Sequence, residues 1–163
     1  MPASSVSENP RIVAQTLWGE ARGEGDAGIA AVAAVIANRA TAAARYHARY
    51  NHFHPLYGDG TLAAACLVNF HSTWQFTCWS PDDPNRAKLD AVTEADPTFA
   101  HCLVVAEAAI AGKIADPTGG AVNYLDPVAT QKLYGHLPGW TASMRETARI
   151  GRHVFYADKG RPA

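Results

Sequence analysis

Cysteine is scarce, and the three present in the 163-residue chain, Cys66, Cys78 and Cys102, are an odd number with no C-x-x-C spacing. A disulfide framework and a zinc ribbon are therefore not indicated, and the three read as small buried hydrophobes. Neither sign of charge dominates: the formal net charge is −1 at pH 7. A broad electrostatic hold on nucleic acid or an anionic membrane is thus not expected, although a local basic patch stays open. No apolar run approaches about 18 residues, and the N-terminal segment from Met1 lacks a basic stretch followed by an apolar one. Stable membrane insertion and a signal peptide are therefore not expected. The expectation is synthesis in the cytoplasm, with access to an external substrate only after release.

What is present suits one domain. Hydrophobic residues make up 48% of the chain, enough at this length for a sizeable core. After a polar lead over residues 1–8, Asn9-Pro10 predicts the cap and first position of a helix running to Arg22. Asp26 is expected to cap a second helix, with Ile29, Val32, Ala33 and Ile36 as its apolar stripe and Asn38-Arg39 either hydrogen-bonding inward or simply exposed. Periodicity fades from Thr41 to Gly60, which reads as a polar, aromatic loop. Residues 61–70 predict a short amphipathic helix, Asp83-Pro84 a loop or short helix, and Asp96-Pro97 a capped scaffold helix ending at Gly112. Short strands are expected near 121–126 and 153–156, with a helical turn over 127–133 between them and a tail at 158–163. The class is α+β: a mainly helical single domain over 1–163 with a small sheet.

The chemistry concentrates at Trp18-Gly19-Glu20-Ala21-Arg22-Gly23-Glu24-Gly25. Glu20 and Glu24 continue the stripe begun by Val13 and Leu17, so Glu20 faces the apolar side of its helix. Burial favours the protonated form of a carboxyl group, the state a general acid needs. A solvated or arginine-paired glutamate is the competing reading. Glu24, between two glycines, reads as a turn residue, with Arg22 available to neutralise one of the pair.

Two further stretches carry polar groups beside rings. His47, His52, His54 and His71 lack an H-E-x-x-H helix or an accompanying Cys/His set, so no metal site is assigned. Trp74, Phe76 and Trp79 surround Gln75 and Thr77, a mixture suited to stacking on a sugar face and hydrogen-bonding its hydroxyls, or alternatively to anchoring a core.

Trp18-Gly-Glu-Ala-Arg-Gly-Glu24, Gly28-x3-Val32-Ala-Ala-Val-Ile-Ala-Asn-Arg39, Gln75-Phe-Thr-Cys-Trp79, Gly119-Gly-Ala-Val-Asn-Tyr124 and Ile150-Gly-Arg-His-Val-Phe-Tyr156 together resemble the cell wall hydrolase family of the spore cortex-lytic enzymes SleB and CwlJ. The likeness spans about Ile12 to Tyr156. It implies a fold similar to the lysozyme and lytic transglycosylase group, and a peptidoglycan glycosidase that cuts the β-1,4 bond from N-acetylmuramic acid to N-acetylglucosamine. The family's catalytic glutamate maps onto Glu20. Gln75, Phe76, Asn123, Tyr124 and His153 match positions that line or support the groove, whereas Leu125 departs from relatives with a polar or aromatic residue there.

The resemblance implies peptidoglycan strands as the partner; no cofactor, no nucleic-acid partner and a monomer are the accompanying expectations. One glutamate suffices for a lytic transglycosylase; a hydrolase needs a second carboxylate, with Glu24 nearest in sequence and Asp59 and Asp126 remote. A non-catalytic wall-binding module or a structural phage protein are the readings from other classes. The lack of an export signal fits a compact phage endolysin better than a secreted spore enzyme.

Overall fold

The structure, a computed structural model, describes residues 7–159; the polar lead over 1–6 and the end of the expected tail, 160–163, lie outside the described residues. Helix α1 (Pro10–Ala21) starts as its caps dictate: the Asn9 side chain accepts from Arg11 N and Ile12 N, and Pro10 needs no partner for a missing N–H. Glu8 is not part of a frayed lead. Its carboxylate accepts from Leu62 N at 3.2 Å and Ala63 N at 3.0 Å, tying the chain start to the positive end of α3 (Leu62–Leu67).

Helix α2 (Gly25–Tyr50) differs from expectation at both ends. It begins before Asp26, with Glu24 at the cap position making no side-chain cap bond; Asp26 lies in the first turn. At the other end it continues through the stretch expected to be loop and stops where Asn51 takes a left-handed conformation, φ 56°. The alanines between Thr41 and Ala48 keep the helix propensity high, and only one face has to be apolar once a helix reaches the surface. One window of α2 has mean hydropathy 1.5, long and apolar enough to cross a membrane. Uninterrupted run length misses this because Asn38 and Arg39 break the run. In the fold, Ile29, Val32, Val35 and Ile36 are fully buried against other elements.

Helix α5 (Pro97–Ile110), capped by the Asp96 side chain on Phe99 N, packs Phe99, Cys102 and Ala106 with Val13 and Leu17 of α1 and Ile29 and Ile36 of α2 into the main core. All three cysteines are free and buried; burial pushes the Cys66 and Cys102 thiols up to about 12. The helix expected over 61–70 ends at Leu67. Beyond it β1 (Asn69–Phe70) and β2 (Thr73–Trp74) pair as a hairpin. His71 and Ser72 make its turn with φ of 49° and 63°, the conformation that tight two-residue turns demand. A 3₁₀ turn, η1 (Thr77–Trp79), and α4 (Arg86–Ala91) follow.

The second layer is an antiparallel sheet in the order β3 (Asn123–Leu125), β5 (His153–Asp158), β4 (Met144–Ile150). Phe155 of the central strand and Ala121 pack on Ala31 and Val35 of α2. Between β3 and β4 run α6 (Pro127–Tyr134) and α7 (Trp140–Ser143). Asp116 fastens the loop before β3: it accepts from Thr118, Gly120 N and Asn38 Nδ2.

Candidate active site

Gly19 sets the geometry at the end of α1. A Cβ there would stand 2.8 Å from the Cβ of Cys78, so only glycine lets η1 lie directly against the helix. That approach brings Cys78 N to 3.4 Å from Glu20 Oε1. From the opposite side β3, held in register by Tyr124↔Phe155, presents Tyr124, whose hydroxyl donates to Glu20 Oε2 at 3.0 Å. Burial, reinforced by the Glu20 charge, raises the Tyr124 phenol well above its usual range. It therefore stays an O–H donor at any ordinary pH. The Glu20 carboxyl is thus oriented by one backbone N–H and one phenol.

Beneath this pair lies Arg39, 4% exposed. Its Nε donates to Val122 O at 2.6 Å and its Nη2 to Asn123 Oδ1 at 2.9 Å, while the guanidinium sits over the rings of Phe76 and Tyr57, 4.8 and 5.4 Å from their centroids. Of the two sequence readings for Asn38-Arg39, the inward one is what the fold adopts. Burial lowers the Arg39 pKa, and the Glu20 charge opposes that shift; guanidinium remains charged regardless. One residue thereby sutures β3 to α2 and places a positive charge at the floor of the site.

These groups open onto a cleft of about 270 Å³, walled by Glu20, Trp74, Gln75, Asn123, Tyr124 and Trp140, with Arg39 and Thr77 completing it. Glu20 is the one carboxylate among the lining residues. Of the residues singled out in the sequence, Glu20, Gln75, Asn123 and Tyr124 come together here. Phe76 and Trp79 do not. Phe76 is 2% and Trp79 7% exposed, both in the main core, and the Trp79 indole N–H is used internally, donating to Thr16 Oγ1 at 2.9 Å. The backbone is extended through Phe76, so Gln75 and Phe76 face opposite ways, and the short η1 turn carries Trp79 inward. The rings that face the cleft are Trp74 and Trp140. Trp140 has no sequence signal for this role: its Pro138-Gly139 lead marks a turn, and nothing local shows that the ring then lies edge-on to Tyr156, 5.3 Å away.

His153 stands behind the site: its ring meets Tyr124 edge-on at 5.0 Å, and it faces a different cavity. Glu24 is also outside the cleft, and its partner is Arg152 rather than Arg22, with Nε at 3.0 Å and Nη2 at 2.5 Å from Glu24 Oε1. That hydrogen bonding holds the Glu24 carboxyl below its ordinary value. Arg22 instead donates to Trp18 O and Gly19 O and lies over the Trp18 ring. The histidines of the 47–54 stretch join an aromatic cluster, His54 stacking on Tyr57 at 4.4 Å and His52 edge-on to Tyr46. Among the described residues no group of three His, Cys, Asp or Glu side chains converges.

Known proteins share this fold. The fold matches the catalytic domain of the germination-specific lytic transglycosylase SleB of Bacillus anthracis with a TM-score of 0.60, at 24% identity, over 96% of this chain and all of that one. The SleB catalytic domain of Bacillus cereus matches with a TM-score of 0.56, also at 24% identity, over 96% of this chain and 95% of that one. A spore cortex-lytic enzyme of Halalkalibacterium halodurans is 27% identical over 158 residues; the match takes in 95% of this chain but only 36% of that enzyme. A family described as Cell Wall Hydrolase matches residues 23–156, a span that begins just after Glu20 and takes in all of the sheet but the last two residues of β5. With most of its length matched in this way and its fold shared with SleB catalytic domains, the chain belongs to the cell wall hydrolase family.

Proposed function

We propose that the chain cleaves the β-1,4 bond between N-acetylmuramic acid and N-acetylglucosamine in peptidoglycan, acting as a lytic transglycosylase with Glu20 as both acid and base. The observation that carries this reading is the lone carboxylate, Glu20, in a ring-walled polar cleft. A glycosidic oxygen leaves poorly until protonated, so neutral Glu20 donates a proton as oxocarbenium character develops at the muramic C1. The carboxylate that forms is stabilised by the Tyr124 hydroxyl, Cys78 N and the buried Arg39 charge. It then accepts the proton of the muramic C6 hydroxyl while that oxygen bonds to C1, which closes the 1,6-anhydro ring and returns Glu20 to its neutral form.

Direct hydrolysis requires a second carboxyl group, about 5–5.5 Å away for retention or about 6.5–9.5 Å for inversion. Glu24 is a poor candidate because Arg152 engages it outside the cleft. The SleB domain of Bacillus anthracis bears the description lytic transglycosylase, which supports the same choice. Trp74 and Trp140 would stack on sugar faces, with Gln75 and Asn123 meeting hydroxyl or acetamido groups. The test is digestion of bare sacculi by the wild type and by Glu20→Gln. The near-isosteric variant should retain its fold and lose turnover. More than a few per cent residual activity would remove Glu20 from the proposed role.

A further inference from the structure

A second cavity, about 510 Å³, lies between α6 and the β4–β5 hairpin, with Val128, Ala129 and Lys132 on one wall and Arg149, Arg152 and Val154 on the other. We propose that it binds the stem peptide of peptidoglycan, the short carboxylate-bearing peptide attached to the muramic residue; this rests on the glycosidase reading above.

Three observations lead there. The first is α6 itself. The Asp126 side chain caps its start on Ala129 N and Gly135 closes its end at φ 75°, so local sequence specifies it fully, yet none of its residues is buried. Val128 is 78% and Leu133 75% exposed. A helix that contributes nothing to the core is positioned to form a wall.

The second is proximity to the cleft, from which the cavity is set apart by side chains rather than by whole elements. His153 lines the cavity, its ring rests on Tyr124, and Tyr124 holds Glu20. Two rings in series, His153 and Tyr124, stand between the cavity and the reacting carboxyl group, and the stem peptide leaves the muramic ring at C3, on the sugar being cut. His153 Nδ1 is buried and without a hydrogen-bond partner.

The third is complementary chemistry. Stem peptides combine small apolar side chains with free carboxylates, and the cavity joins apolar walls to cations. Arg149 and Arg152 give only Nε and Nη2 to Glu146 and Glu24, which leaves further N–H groups for a carboxylate. Lys132 adds a third positive charge. Asp126, the acidic residue on the wall, is occupied as the α6 cap.

The experiment compares kcat/KM on soluble glycan strands carrying stems with the same strands stripped by an amidase. The wild type should favour stem-bearing strands by about tenfold, the effect of one good contact. Val128→Asp and Lys132→Glu, both at exposed positions, should bring that ratio close to one; Lys113→Glu, a similar charge change elsewhere on the surface, should keep it. No preference in the wild type, or an equal loss on both substrates in the cavity variants, would overturn the proposal, the latter making the cavity a glycan subsite. Calorimetry with a synthetic stem tetrapeptide separates this from the glycosidase reading. Binding by Glu20→Gln that is lost on adding Lys132→Glu supports the peptide site even if no strand is cut, and no binding contradicts it.

Discussion

Tyr124 and Glu24 come from two different motifs and act on different properties of the protein. Tyr124→Phe removes the hydroxyl that donates to Glu20 but keeps the ring packed against His153 and Phe155. Loss of a donor aimed at developing charge is expected to lower kcat by about tenfold or more with little change in Tm. Unchanged kcat would mean that Cys78 N alone orients Glu20. Glu24→Gln should act on stability instead. Arg152 holds the folded-state pKa of Glu24 below its ordinary value of 4.5, so the ion pair contributes above the unfolded-state pKa, and the contribution is lost as pH falls through the folded one. The variant should be less stable than wild type at pH 7, by less than about 1 kcal/mol for a pair with an exposed arginine, and equal to it in strong acid. A deficit that does not change with pH would exclude the ion pair as its source. Helical spacing made Glu20 legible in the sequence. Its partner Tyr124 lies 104 positions away and was reached only through the family resemblance.

Elements whose limits are written locally were legible. Asn9-Pro10, Asp96-Pro97 and Asp126-Pro127 each pair a capping side chain with a proline, and α1, α5 and α6 begin there. The outer half of α2 was not, because a helix past the core loses its stripe and then resembles a polar loop. The β1–β2 hairpin has strands too short for alternation to register. Direction around η1 is equally hidden, so the sequence leaves Trp79 open between groove and core and gives Trp140 no marker. Trp79→Ala should therefore destabilise the protein by about 3–5 kcal/mol, from a core cavity and an orphaned Thr16, with glycan affinity of the folded fraction unchanged. Trp74→Ala should do the reverse. A Trp79→Ala protein of normal Tm with a specific glycan-binding defect would contradict this assignment. Thermal melts paired with glycan pull-down separate the outcomes.

At the scale of the molecule, the α+β class followed from helix signals in the first two thirds and strand signals in the last. The strand order, with β5 between β3 and β4, did not, since pairing across so much chain depends on which face α2 offers to Phe155. The cleft exists only once this sheet closes on the end of α1: α1 supplies Glu20, β3 the Tyr124 hydroxyl that donates to it, and α2 the buried Arg39 beneath. None of these elements forms a site alone. Under the proposed function, an assembly with one carboxylate at its centre draws its attacking group from the substrate. The most direct test is mass spectrometry of the soluble fragments released from bare sacculi by the wild type and by Glu20→Gln. Fragments ending in 1,6-anhydromuramic acid, absent with the variant, are the predicted result. Muramic acid with a free reducing end would contradict the single-glutamate account and require a second carboxylate in the cleft.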